Sequence, residues 1–319
     1  MKDEVKLRGA CDGCHAGIRN AGAEAVHKSI ESMLADARAT DSDLPDVVLR
    51  LESEESGVPA DQIRERIRRN LHVMRNAIDE GLKGEVRSPS GLTGGRARRL
   101  QDNGPRLLGP RVTATLSRAI ATLEVNAAMG LIVAAPTAGA AGVLPAIVIS
   151  VGEFLELDEE KLIDAMLVAG GVGGVIAHRA SLSGAEGGCQ AETGTAAAMG
   201  AAAVCWVGGG THAQVATAVA LSLQGMLGLI CDPIGGLVEI PCIYRNASAA
   251  MQAIAAAEMA LAGCDFPVSA DEVIDVMGEV GRKMPVAYRE TAMGGLAATP
   301  SARRLVQIQP SRTPTGISR

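Results

Sequence analysis

Two long runs without Asp, Glu, Lys or Arg constrain what this chain can fold into. They span residues 125–152 and 193–231, and alanine and glycine dominate both. The first run contains Pro136 and Pro145, and the second contains three consecutive glycines at 208–210. A transmembrane helix is a longer uninterrupted stretch of more strongly apolar residues. We therefore interpret both runs as buried helices of a folded protein and expect no membrane segment.

The predicted fold class is all-α. Aromatic residues make up only 2% of the chain, which contains 38 glycines. Strands prefer β-branched and aromatic residues, whereas small side chains let helices pack closely together. Apolar periodicity and helix-start signals predict a set of helices. They cover residues 22–40, 58–82, 109–131, 144–155, 159–177, 247–262 and 270–284.

The net charge and the cysteine residues limit the cellular compartment and the binding partners that we expect for this chain. A net charge of −6 and a pI near 5.5 disfavour a nucleic-acid or anionic-membrane partner. The N-terminal sequence lacks the apolar segment of a signal peptide, so we expect a cytoplasmic protein with reduced cysteines. Cys11, Cys14 and His15 match the c-type haem pattern. Since haem attachment requires export, we interpret this match as accidental, a redox pair or an adventitious metal site.

Three cysteines, Cys189, Cys231 and Cys242, each lie beside glycine or proline, at intervals of 42 and 11 residues. Three thiolates on three turns can hold a metal or an iron–sulfur cluster. The intervals match no short C-x2-C zinc pattern. Spacing alone slightly favours a second interpretation, three buried free cysteines in a core of small residues. Cys205 and Cys264 are predicted to be buried thiols.

Two glycine-rich loops are candidate ligand sites. Residues 84–95 combine four glycines with three hydroxyl residues, and such a loop exposes donors that suit an anion. A surface turn has the same composition. Residues 135–142 form the second loop, in which the Thr137 hydroxyl is a donor. This loop is equally typical of a helix break.

Four segments carry a resemblance to a known family. They are RSPSGLTGG at 87–95, APTAGAAG at 135–142, SGAEGGCQAE at 183–192 and CDPIGGLVEIPC at 231–242. In this order and spacing they resemble the alpha chain of the iron–sulfur-dependent L-serine dehydratases, over about residues 60–300. The resemblance implies a compact multi-helix domain with Gly-rich loops around a buried 4Fe–4S cluster. By position, its ligands are Cys189, Cys231 and Cys242.

The resemblance also implies a reaction. Three cysteine ligands leave one iron with an open position, where it acts as a Lewis acid on the hydroxyl of L-serine. A base removes the Cα proton, and the products are pyruvate and ammonia. The base is unassigned: His178 and Glu186 are local candidates, and a histidine of a partner is favoured over both. The predicted substrate-binding groups are Ser88, Ser90, Thr93, Gly94 and Thr137.

The predicted organisation has three parts. Residues 1–83 form an N-terminal helical region, 84–300 a cluster- and substrate-binding helical domain, and 301–319 an irregular tail. Since the family's second module is absent from the matched segments, we expect a separate beta chain and an oligomeric enzyme. The alternatives are a related 4Fe–4S lyase acting on L-cysteine or L-threonine, a non-catalytic iron–sulfur scaffold subunit, and a helical membrane protein.

Overall fold

The computed structural model describes residues 27–308. Within that range the regular structure is helical, and the strand-like pairing is a single isolated bridge between Cys231 and Arg289. The all-α prediction is confirmed. The thirteen α-helices of the described range are α1 Ile30–Thr40, α2 Leu44–Ser56, α3 Ala60–Lys83, α4 Arg96–Asn103, α5 Pro110–Ala127, α6 Val143–Phe154, α7 Glu159–Arg179, α8 Gly184–Gly187, α9 Thr195–Val207, α10 His212–Gln224, α11 Cys242–Leu261, α12 Ala270–Lys283 and α13 Pro300–Ile308.

Helix α9 lies at the centre of the core. Every residue from Thr195 to Trp206 is buried, and the helix packs against α6, α7, α10 and α11. Small side chains make this close packing possible. At Gly200, for example, a Cβ atom would lie only 2.6 Å from Cδ1 of Ile147 in α6. The alanine- and glycine-rich runs therefore form the interior of a helical assembly, as the sequence predicts.

One helix of the described chain, α7, has the length and hydropathy of a membrane span. It packs against α9 and α2, and 56% of its apolar window is buried. A core helix of a folded protein passes the same test of length and composition. The two uncharged runs of the sequence analysis are instead divided into shorter helices.

Capping residues explain where several helices begin. Asp158 caps α7 by accepting a hydrogen bond from Lys161 N–H, and Ser269 forms a capping box with Glu272 at the start of α12. The predicted helices are present, and most of their ends are shifted by five residues or fewer. The helix predicted from residue 22 begins at Ile30 in the described range, and residues 22–26 lie outside that range. Helices α2 and α4 were not predicted. The tail that was expected to be irregular begins with α13, and residues 309–319 lie outside the described range.

The N-terminal helices join the same core as the rest. Buried residues from Ile30 in α1 to Met277 in α12 form one continuous apolar cluster. The Asp271 carboxylate also accepts hydrogen bonds from the backbone N–H groups of Ile30 and Glu31, at 2.8 and 3.1 Å. The boundary drawn at residue 83 stays a prediction.

Candidate metal and substrate site

Gln190 ties the turn that carries Cys189 to the turn that carries Cys231. Its backbone N–H donates to Leu229 O at 3.0 Å, and its side-chain Oε1 accepts from Gly228 N–H at 2.9 Å. Its Nε2 donates to Met277 O in α12 at 3.2 Å. Because the side chain is fully buried, this arrangement fixes the two cysteine turns relative to each other.

A later segment of the chain holds Cys231 in place. The Cys231 N–H donates to Tyr288 O, and the Glu290 N–H donates to Cys231 O, both at 2.8 Å. These bonds form the parallel bridge between Cys231 and Arg289. The position of this cysteine therefore depends on residues more than fifty positions further along the chain.

Asn246 joins the third cysteine turn to the second glycine-rich loop. Its Nδ2 donates to Cys242 O at 2.9 Å and to Gly139 O at 2.7 Å, and its Oδ1 accepts from Gly142 N–H at 3.0 Å. Asn246 is fully buried and lies one helical turn after Cys242, the first residue of α11. One side chain thus positions the Cys242 turn against the loop that contains Thr137.

The described residues contain one group of potential metal ligands. The sulfur atoms of Cys189 and Cys231 and a carboxylate oxygen of Glu192 all lie within 4.8 Å of one another. Cys242 lies outside this group. Burial, followed by the negative charge of Cys189, raises the pKa of the Cys242 thiol to about 12, so the Cys242 thiol is within electrostatic reach of Cys189.

The two close thiols have opposite pKa shifts. A hydrogen bond with Cys231 is the largest effect that lowers the pKa of Cys189, and the positive charge of Arg245 adds to it. The same hydrogen bond, together with burial, raises the pKa of Cys231. Of the two thiols, Cys189 is therefore the one that loses its proton more readily. Within residues 27–308, no ion pair to the carboxylate of Glu192 is observed.

Arg245 supplies a half-buried positive charge to the site. Its Nη1 lies 3.6 Å from Cys189 Sγ and donates to Ile230 O at 2.9 Å, and its Nη2 pairs with Asp232 at 2.7 Å. Burial opposes its protonation, but Cys189 and Asp232 raise its pKa overall. Sequence reasoning missed this residue. Its position three residues after Cys242, on the same side of a helix, was a signal that could have identified it.

Glu192 was also missed, although it belongs to one of the motifs. The Thr137 hydroxyl donates a hydrogen bond to its Oε1. Burial raises the pKa of Glu192, while the bond from Thr137 acts in the opposite direction. Gly184 leaves room beside it: a Cβ there would lie 3.0 Å from Glu192 Oε2 and 3.3 Å from Cys231 Sγ. The thiol and the carboxylate therefore face the same small space.

The hydroxyl groups of the first glycine-rich loop bind a carboxylate of the chain itself. Ser90 Oγ lies 2.8 Å from both oxygens of Glu239, and Thr93 Oγ1 donates to Glu239 Oε2 at 3.0 Å. Ser88 Oγ lies 3.0 Å from Ser90 Oγ and accepts from Thr93 N–H at 3.2 Å. The loop does bind an anion, and in the described chain that anion is Glu239.

A second buried carboxylate, Glu124 of α5, occupies the backbone donors of the same loop. It accepts hydrogen bonds from Gly94 N–H at 3.1 Å, from Arg96 N–H at 2.9 Å and from Ala97 N–H at 3.2 Å. The last two groups lie in the first turn of α4, where a helix favours a negative charge. Glu124 thus anchors the loop to α5.

The remaining sequence-predicted residues lie elsewhere. His178 and Glu186, the local candidates for the base, are exposed, and Glu186 accepts a hydrogen bond from Ser181 Oγ at 2.5 Å. Cys205 is buried as predicted, and burial raises its pKa to about 11. The prediction that Cys264 is buried is wrong, because it follows the end of α11 in an exposed turn. Cys11, Cys14 and His15 lie outside the described residues.

Comparison with known proteins identifies the family. Residues 22–297 match the family profile described as "Serine dehydratase alpha chain". The chain belongs to the serine dehydratase alpha-chain family. The resemblance predicted from the four motifs is confirmed, and the matched range includes all three cysteine turns and both glycine-rich loops.

Three individual proteins show how far the sequence of this chain is similar to named serine dehydratases. A Bacillus subtilis protein named "Probable L-serine dehydratase, alpha chain" is 49% identical over 265 residues, 82% of this chain and 88% of that protein. The "L-serine dehydratase, alpha chain" of Peptoniphilus asaccharolyticus is 39% identical over 263 residues, 82% and 90% of the two chains. The "L-serine dehydratase" of Streptomyces coelicolor is 43% identical over 256 residues, but the match covers only 56% of that longer protein.

Proposed function

We propose that this chain is the α subunit of an iron–sulfur L-serine dehydratase, a lyase that converts L-serine to pyruvate and ammonia. The observation that carries the proposal is the convergence of Cys189 and Cys231 with Glu192 in a buried site of a serine dehydratase alpha chain. We assign a 4Fe–4S cluster to Cys189, Cys231 and Cys242.

The donor set fits a cluster of this kind. Soft thiolates are the ligands that iron–sulfur clusters use, and the lowered pKa of Cys189 favours that form. Arg245 offsets the negative charge that the thiolates would accumulate. Gly184 keeps the space between Cys231 and Glu192 free of a side chain. A bound cluster with three cysteine ligands supplies a Lewis-acidic iron that activates the substrate hydroxyl as a leaving group.

The chain's own residues bind and orient the substrate in this proposal. Asn246 holds the loop with Thr137 against the Cys242 turn, so the Thr137 hydroxyl lies beside the metal ligands. Ser88, Ser90, Thr93 and Gly94 are assigned to the substrate as well. Since Glu239 and Glu124 occupy several of their donors, we expect these residues to shape the pocket wall.

We assign a separate beta chain as the partner, in the cytoplasm. The name "alpha chain" of two relatives and the partial coverage of the Streptomyces protein support a second module. Exposed apolar side chains, Val286, Met293 and Leu296, lie on the segment that pairs with Cys231. We expect the beta chain to cover this face and to contribute the base.

Anaerobic co-production with the beta chain tests the proposal. Iron and acid-labile sulfide per chain, the visible spectrum and pyruvate formation from L-serine are measured for the wild type and for Cys189→Ala. We expect about four irons per wild-type chain, the count of one 4Fe–4S cluster, and loss of both cluster and pyruvate in the variant.

The matched control is Cys205→Ala, because Cys205 is an equally buried thiol outside the ligand group. It should retain the cluster and the activity. Assays with L-threonine and L-cysteine, run in parallel, distinguish the related lyases. A wild-type complex that carries iron but releases no pyruvate from L-serine would contradict the proposed reaction.

A further inference from the structure

We propose that Glu192 is a fourth protein ligand of the cluster in the substrate-free enzyme and that L-serine displaces it. The inference rests on the proposed function, because it assigns a role to Glu192 toward the cluster. Its starting point is that a carboxylate oxygen of Glu192 lies within 4.8 Å of the sulfur atoms of both Cys189 and Cys231.

The two carboxylate oxygens have different surroundings. Oε1 accepts the hydrogen bond from Thr137 and lies against Gly139, where a Cβ atom would be only 2.3 Å away. Oε2 faces the space beside Gly184, which Cys231 Sγ also borders. Oε1 is thus held by the Thr137 hydroxyl. Oε2 would lie 3.1 Å from a Cβ on Gly139 as well, but it also borders the space on the side of the Cys231 thiol, where it could bind a metal.

The position of Glu192 in the fold makes it rigid enough to act as a ligand. It lies between two buried neighbours, Ala191 and Thr193, in the π-helical turn Gln190–Gly194 that follows Cys189. π-Helical turns inside α-helices are frequent at functional sites. Glu192 is half-buried. Partial burial of a carboxylate costs free energy, and coordination to a metal offsets that cost.

The Thr137 contact explains how the substrate enters. Thr137 is a predicted substrate-binding residue, and in the described chain its hydroxyl binds the carboxylate of Glu192. The carboxylate of L-serine is the same chemical group. If it took this place, Glu192 would lose the hydrogen bond from Thr137, and Oε2 would give up its role as a ligand of the cluster to an oxygen of the substrate. The exchange transfers no electrons and needs no co-reactant.

Glu290 is the competing candidate. Its Oε2 lies 3.3 Å from the position of a Cβ on Gly184, so it borders the same space, but its side chain is exposed and it is not part of the group within 4.8 Å. It therefore serves as the matched carboxylate for comparison.

Mössbauer spectroscopy of the 57Fe-loaded complex with its beta chain tests the inference. Three proteins are compared with and without L-serine: wild type, Glu192→Gln and Glu290→Gln. Glu192→Gln should contain as much iron and sulfide as the wild type, because the cysteines are intact. Its unique iron should give a different signal before substrate is added. Glu290→Gln should give the wild-type signal.

Kinetics provide a second readout. If Glu192 occupies the open position in about nine tenths of the substrate-free molecules, its removal lowers KM about tenfold. Identical iron signals in the wild type and Glu192→Gln would overturn the inference while leaving the proposed function intact. A changed signal in Glu290→Gln alone would also overturn it. A wild-type complex that contains no iron and no sulfide would contradict the proposed function, and this inference would then fail as well.

Discussion

Gly184 matters for the candidate metal site because it has no side chain. An added Cβ would meet Glu192 Oε2 at 3.0 Å and both Cys231 Sγ and Glu290 Oε2 at 3.3 Å. These distances are shorter than ordinary van der Waals contacts, and the atoms concerned are those that face the metal site. A methyl group at this position competes for space with any ion bound there.

We therefore expect Gly184→Ala to reduce cluster loading without unfolding the chain. Iron and acid-labile sulfide per chain, measured after anaerobic purification, should fall well below the wild-type values. Gly174→Ala in α7 is the control, because an added Cβ there has no neighbour within 4 Å. It should load fully and gain about 0.5–1 kcal/mol of stability as a helical alanine. Full loading of Gly184→Ala would show that the space is not used.

Thr137 gives a second test at the same scale. Thr137→Val removes the hydroxyl but keeps the shape of the side chain. We expect KM for L-serine to rise or kcat to fall by about tenfold, the effect of one lost hydrogen bond to a charged group. Thr137→Ser retains the hydroxyl and should stay close to the wild type. Steady-state pyruvate assays measure KM and kcat for both variants. Wild-type kinetics for Thr137→Val would contradict the assignment of Thr137 to the substrate site.

Sequence analysis identified the residues whose chemistry is visible locally and missed those defined by packing. Cys189, Cys231 and Cys242 stand out through their turns, and the family motifs include them. The carboxylate of Glu239 is bound by hydroxyls about 150 residues earlier in the chain, so no local pattern reveals the pair. Glu192 is part of the motif at 183–192, but its role depends on its hydrogen bond with Thr137, which lies in another part of the chain.

Secondary structure elements in this protein are joined by a few buried polar side chains. Asn246 connects α11 to the loop at 135–142 through two hydrogen bonds. Glu239 connects the turn before α11 to the loop at 84–95. Each of these connections spans about 100 residues or more of sequence, and together they bring both glycine-rich loops to the cysteine turns.

Asn246→Ala should destabilise the fold strongly. The variant leaves Gly142 N–H without its acceptor and Gly139 O without its donor. Unsatisfied buried groups of this kind cost about 1–3 kcal/mol each, so we expect about 2–4 kcal/mol in urea unfolding. Asn103→Ala, at the exposed end of α4, should change stability by less than about 0.5 kcal/mol. An equally small effect at Asn246 would contradict its connecting role.

Glu239→Gln should loosen the first loop. The amide retains one acceptor oxygen but loses the charge that strengthens the bonds from Ser90 and Thr93. We expect faster hydrogen exchange in residues 88–94, detected by mass spectrometry, with unchanged exchange in α9. Glu258→Gln, on the exposed side of α11, is the control. Unchanged protection of the loop in Glu239→Gln would mean that the backbone bonds to Glu124 hold it alone.

Helix prediction succeeded where apolar periodicity and caps agree, as in α3, α7 and α12. It failed for α4, whose eight residues contain a single buried side chain, Ala97, so an apolar repeat is absent. This helix forms because Glu124 binds its N-terminal N–H groups, a tertiary contact that the sequence does not display.

The whole molecule depends on the close approach of helix backbones. Gly200 in α9 lies against Ile147, and Gly81 in α3 lies against the backbone of Ala121 in α5, where a Cβ would be 2.3 Å from the carbonyl oxygen. Because the helices approach each other this closely, there is little room for larger side chains at these crossings. The stability of the assembly is therefore sensitive to added volume at helix crossings.

Two glycine-to-alanine changes separate packing from helix propensity. Gly200→Ala improves the propensity of α9 but adds a methyl group 2.6 Å from Ile147, so we expect a net loss of about 1–3 kcal/mol. Gly170→Ala in α7 has no neighbour within 4 Å and should gain up to about 1 kcal/mol. Thermal unfolding followed by circular dichroism measures both, and equal gains would refute the packing argument.

The pairing of Cys231 with Tyr288 and Glu290 has a consequence for biosynthesis. The backbone partners of this cysteine leave the ribosome only after more than fifty further residues have been added. If the chain holds the proposed cluster, we expect its insertion to follow translation of this late segment. Before that point the turn that carries Cys231 lacks its final backbone partners, so we expect oxygen or a scavenging metal to have its best access to the cysteines in the nascent chain.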